Sequence, residues 1–148
     1  MLKLTIGEKE YTFEFSIEAS MYKDCTEKVT ELFMNIMEAE NSKDVKTMLS
    51  SVTDIPNVAM TAIYAGLLEN HGPLGDGSVK CMADAKEIVK QYMREHKDDG
   101  EGDFFTLVNK MVACMEDDGF FELTGLKKLM MEAEAEAEKT PKKKATKK

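Results

Sequence analysis

Residues 55–68, IPNVAMTAIYAGLL, decide the fold. Wound as a helix, this stretch is apolar on nearly every side, and in a chain that is 32% charged such a helix belongs at the centre of a bundle. Its longest apolar run, Val58 to Leu68, is about half of the roughly 20 residues needed to cross a bilayer, so no transmembrane helix is expected. Asp54 and Pro56 supply the start, since proline is tolerated in a first helical turn, and HGPLGDG at 71–77 supplies the stop and a surface loop. Gly66 within the helix predicts the close approach of a neighbouring element.

Outward toward the N-terminus, Leu2, Leu4 and Ile6 alternate with polar residues, GEKE intervenes, and Tyr11, Phe13 and Phe15 alternate again. This period of two predicts a β-hairpin over residues 1–15 with one apolar face that must pack on helices. Ser16 then offers an N-cap to a long helix whose apolar positions are Tyr22, Cys25, Val29, Leu32, Phe33, Ile36 and Met37, ending at Asn41 and Ser42. A shorter helix through Val45, Met48, Leu49 and Val52 is expected after it.

Outward toward the C-terminus, Met82, Ala85, Ile88, Val89, Tyr92 and Met93 mark another amphipathic helix. Asp103 caps a further one through Phe104, Val108, Met111, Val112 and Met115, and a last helix resumes from Phe120 to Met131. DDGEGDFF and DDGFF read as two acidic turns, each capping a helix that opens with a Phe pair. The fold class is mainly α: a bundle of about five or six helices with an N-terminal β-hairpin, forming one domain over residues 1–131. Residues 132–148 read as an Ala/Glu helix fraying into a disordered, Lys-rich basic tail.

The charge is uneven. Residues 132–148 hold four Glu and six Lys, which leaves 24 acidic against 14 basic residues in 1–131, a net charge of −10. Such a body repels phosphate backbones, so no nucleic-acid binding is expected. MLKLTIGEKEY lacks the uninterrupted apolar region of a signal peptide, and the expected location is the cytoplasm.

The chemistry-bearing residues form no catalytic or metal constellation. Cys25, Cys81 and Cys114 are far apart, with neither a CxxC pair nor a His at ligand spacing, and are expected to be buried, reduced thiols. His71 and His96 fall at helix C-termini, where a partial positive charge suits the helix dipole. The acids of DDGEGDFFTLVNK have the alternation of a calcium loop, but Phe104 stands at the position of the obligatory glycine and Lys110 at that of the bidentate Glu. The Gly72 to Gly77 segment has no Lys-Ser/Thr ending and is no phosphate loop. The expectation is a protein that is not an enzyme and carries no cofactor.

LKLTIGEKEYTFEFSIEAS, IPNVAMTAIYAGLLENHG, GDGSV, AKEIVKQYMREHKDD and MEDDGFFEL, taken together, resemble the tail assembly chaperones of long-tailed bacteriophages, or prophages, of Gram-positive bacteria. The similarity covers roughly residues 1–125. It implies a small helical protein in the cytoplasm of the infected host that binds the tape measure protein, keeps it soluble, helps recruit tail tube subunits, and is absent from the mature virion. It also implies a longer, frameshifted product that would contact the tail tube protein. The alternative is a structural virion component such as a head-tail connector or tail accessory protein.

Two surfaces are expected. Twelve methionines suit a surface that accepts varied apolar helices, although most, including Met21, Met34, Met60, Met82, Met93 and Met111, are assigned to the core. Met115, Phe120, Phe121, Leu126, Met130 and Met131 are the client-binding candidates. A homo-oligomer is expected through the free edge of the hairpin, at Tyr11, Thr12 and Phe13.

Overall fold

A computed structural model describes residues 1–42 and 53–145; the short helix expected around Val45 to Val52 lies outside the described residues. Two antiparallel strands, β1 (Leu2–Ile6) and β2 (Lys9–Phe13), open the chain, with Leu2 opposite Phe13 and Ile6 opposite Lys9. Gly7 turns the hairpin at φ +67°, a conformation that primed hairpin turns require and L side chains avoid. Helices come next at α1 (Ile17–Met21), α2 (Lys23–Ser42), α3 (Ile55–His71), α4 (Met82–Glu95), α5 (Phe104–Asp118), α6 (Phe120–Thr124) and α7 (Leu126–Ala145). Five of these seven have fourteen residues or more, so the protein is a mainly α bundle behind an N-terminal hairpin.

The all-round apolar helix is the axis. α3 buries Val58, Ala59, Ala62, Ile63, Ala65 and Leu67 and meets α1, α2, α4, α5 and β2. Gly66 lies where the hairpin crosses it. A Cβ there would sit 2.9 Å from Phe15 Cζ and 3.3 Å from Phe13 Cδ1, and the Gly66 carbonyl accepts the Glu14 N–H at 2.9 Å. Phe13 and Phe15 are fully buried as a result, each contributing roughly 1.5 to 3 kcal/mol of apolar burial.

The helix expected to run unbroken from Ser16 is two. The backbone leaves helical geometry at Tyr22 (φ −82°, ψ 93°), and the Tyr22 ring meets Tyr64 of α3 edge-on at 5.3 Å. Ser16 makes no cap bond; its hydroxyl donates to Glu14 instead. The two acidic turns also diverge. Asp103 caps α5 by accepting the Thr106 N–H at 2.8 Å, as its position predicts. Asp118 caps nothing, and α6 starts from Gly119, which stands in the left-handed region at φ +73°. The Asp118 carboxylate holds the Phe15 N–H at 2.9 Å and also bonds the Met1 amine, whose pKa it pushes up to about 10.

α7 carries the Ala/Glu run, in keeping with its helix propensity, and its backbone continues to Ala145. The expected disordered basic end, TPKKKATKK at 140–148, has its side chains outside the described residues.

The packing at Gly66 yields a direct test. Gly66→Val puts branched carbons into the space of the Phe15 ring and should lower the unfolding free energy by about 1 to 3 kcal/mol in urea titrations. Shrinking the opposing ring with Phe15→Leu in that background should cost less than it does alone. Additive losses would show that the two positions do not press on each other.

Candidate functional site

The glycines around α6 place the site. Gly119 and Gly125 both adopt left-handed conformations, at φ +73° and +80°, so α5 and α6 stop abruptly and α7 departs in a new direction. α7 packs on α6 and leaves much of its N-terminal half uncovered: Leu129 is 57% exposed and Met131 61%. Facing it is α2, whose Met34 is 59% exposed.

Between the two helices runs a groove of about 400 Å³, walled by Thr30, Phe33 and Met34 from α2 and by Leu126, Leu129 and Met130 from α7. A second hollow of about 420 Å³ lies against Phe33, Phe121, Met130 and Met131. Phe33 and Met130 line both, which makes the two hollows one apolar surface. Phe33 and Phe121 meet edge-on at 5.6 Å and tie α2 to α6 beneath it. Glutamates ring the surface: Glu132 and Glu136 border the first hollow, and Glu116, Glu122 and Glu134 the second. Thr30, the polar residue of the first wall, already donates its hydroxyl to the Thr26 carbonyl at 2.7 Å.

Of the client-binding candidates, Phe121, Leu126, Met130 and Met131 come together here. Met115 and Phe120 do not, and this corrects the expectation. Met115 succeeds Leu107 and Met111 at steps of four on the inner face of α5, and it is fully buried. Phe120 turns inward after Gly119 and packs edge-on against Phe15 at 5.7 Å. Sequence reasoning missed Phe33, Met34 and Leu129 as groove residues. Met34 gave the available signal, a large apolar residue standing off the stripe that runs through Val29, Leu32 and Phe33. Met21, assigned to the core, is 76% exposed.

The self-association surface is also corrected. The Thr12 N–H, expected to be free at the hairpin edge, donates to His71 Nε2 at 2.9 Å. Tyr11 meets the same imidazole edge-on at 5.3 Å, and Phe13 is 2% exposed. The last turn of α3 therefore covers the β2 edge at Tyr11 and Thr12. His71 Nδ1 lies 2.8 Å from Asp76 Oδ2, so the neutral ring donates there and accepts from Thr12. His71 is a buried latch rather than a dipole cap, whereas His96 bonds Asp99 at the end of α4.

The perturbed ionisable groups hold the fold. Asp76 is drawn well below the usual carboxylate range by the hydroxyl and N–H of Ser78 and by His71. Burial pushes Asp118 up, but its bonds to the Met1 amine, the Phe15 N–H and Cys114 outweigh that and hold it low. Burial raises the Cys25 thiol to about 12 and, with the Asp118 charge, the Cys114 thiol to about 11, so neither is a ready nucleophile. Cys81 breaks the expectation for thiols by being exposed. Among the described residues, no three His, Cys, Asp or Glu side chains converge as metal ligands would, and no helix is long and apolar enough to cross a membrane. No family model, curated protein or solved structure matches the chain.

Two measurements test this assignment of roles. Carboxyls held below their ordinary value of 3.8 contribute stability that is complete well above that pH and is lost as pH falls below it and through their lowered folded-state values. Melting temperature should therefore begin to drop below about pH 5 and keep falling below about pH 3. Asp118→Asn should cost about 1 kcal/mol at neutral pH and flatten that drop, and an unchanged acid profile would remove Asp118 from the account. In thiol titration with an aromatic disulfide, the native protein should react quickly at Cys81 alone, with Cys25 and Cys114 reacting after denaturation.

Proposed function

We propose that this protein is a tail assembly chaperone of a long-tailed bacteriophage, or prophage, of Gram-positive bacteria. It acts in the cytoplasm of the infected host, binds the tape measure protein, keeps that long helical client soluble while the tail tube assembles, and is absent from the finished virion. The observation that carries this reading is the apolar surface at α2 and α7, where Met34, Leu129 and Met131 are each more than half exposed beside half-buried Phe33, Phe121 and Met130. Scattered exposed apolar residues are ordinary on a protein surface, but a contiguous patch rimmed by charge marks a binding site. Met34, Met130 and Met131 contribute flexible thioethers, which adapt to differently shaped apolar partners. The sequence resemblance over roughly residues 1–125 supplies the identity of the client.

Co-expression with the tape measure protein tests the proposal. The full chain should keep that client in the soluble fraction and co-purify with it, while Leu129→Glu with Met130→Glu should lose most of the co-purifying client and keep a melting temperature within a few degrees of the parent. Purified virions should lack the protein. Its persistence in particles would favour the virion-component alternative, and a client that stays soluble with the double variant would remove the groove from the mechanism.

A further inference from the structure

The groove specifies the chemistry of its occupant more closely than apolar. Its walls present Phe33, Met34, Leu126, Leu129 and Met130, and the Thr30 hydroxyl is already committed to a backbone carbonyl, so the centre has no polar group to offer a ligand. Acidic residues border both hollows. Glu132 flanks the first hollow, Glu116 and Glu134 flank the second, and none of these three has a basic partner among the described residues. Lys127, the one lysine among the lining residues, is engaged with Glu122 at 3.2 Å.

The groove also has the shape of a missing helix. It lies between two helices, where a third would complete a bundle, and it offers no strand edge. From Leu126 to Glu136 the α7 backbone advances about 15 Å at about 1.5 Å per residue, the length of roughly three helical turns of an occupant.

Resting on the reading of this groove as the client site, we propose that it selects an amphipathic helix of about three turns whose apolar stripe is bordered by Lys or Arg. The stripe fills the space over Phe33 and Met130, and the flanking cations meet the glutamate rims. Anionic amphiphiles and acidic helices are repelled by the same rims.

Two fluorescein-labelled, fourteen-residue helical peptides with one shared Leu/Met stripe test this, one flanked by Lys and the other by Glu, titrated with the full-length protein and followed by anisotropy. The Lys-flanked peptide should bind at least ten-fold tighter in 50 mM salt, and the gap should narrow in 500 mM salt as the rim charges are screened. The combined variant Glu116→Lys, Glu132→Lys, Glu134→Lys should reverse the preference, and Leu129→Glu should abolish binding of both peptides. Equal binding of the two peptides that Leu129→Glu abolishes would overturn the charge rule and leave the groove as the client site. Binding that Leu129→Glu does not touch, or no binding of either peptide, would overturn both. A dimer in sedimentation that Leu129→Glu dissociates would assign the groove to a second copy and overturn the proposal.

Discussion

The contact on which the rest of the structure depends is the crossing of the hairpin over α3 at Gly66. Without a side chain at that position, the rings of Phe13 and Phe15 lie against the helix backbone, and the Gly66 carbonyl takes the Glu14 N–H. Phe15, once fixed, positions the later part of the chain, because Phe120 packs on its ring and Asp118 holds its N–H. The α5–α6 junction is thereby set, and with it the point from which α7 leaves the body. The exposed surface beside α2 is thus a downstream result of a close approach deep in the core.

The parts of this arrangement that depend on local chemistry were legible in the sequence. The period-two hairpin, the all-round apolar character of α3, the Asp103 cap and the need for a small residue at position 66 all arise from patterns within a few residues. The parts that depend on distant partners were not. Nothing in a helical wheel shows that the chain must break at Tyr22 so that its ring can reach Tyr64. Thr12 reads as a free edge donor because the imidazole that takes its N–H lies 59 residues away. Met115 and Phe120 have the same side-chain character as Met130 and Phe121, and only the packing of α5 on the core and the turn at Gly119 bury the first pair and leave the second partly exposed.

The acidic residues divide into two populations with different work. Asp76, Asp99, Asp103 and Asp118 each accept a backbone N–H, at Ser78, Glu101, Thr106 and Phe15 respectively, and each has its pKa lowered. Strongly shifted carboxyls often mark catalytic clefts, but here they close turns and pin the hairpin. Glu116, Glu132 and Glu134 hold no backbone group among the described residues and face outward around the groove. Their charge is therefore available to a partner, and it acts over the Debye length rather than at a single contact.

The separation of the hairpin from its partners along the chain also sets a schedule for biosynthesis. Asp118 lies 103 residues after Phe15, and at ~5 to 20 residues per second a ribosome needs about 5 to 20 s to pass from one to the other. A hairpin closes in microseconds, so until α3 is made the nascent chain carries strands whose apolar side faces water, and a two-stranded sheet alone is marginal. α3 arrives earlier and provides the first cover through Gly66, while the Phe120 ring and the Asp118 carboxylate lock the arrangement only near the end of synthesis. A chain stalled or cut before residue 118 would keep the α3 contact and lose that lock, leaving Phe15 half-sheltered and open to capture by folding factors or by another nascent copy.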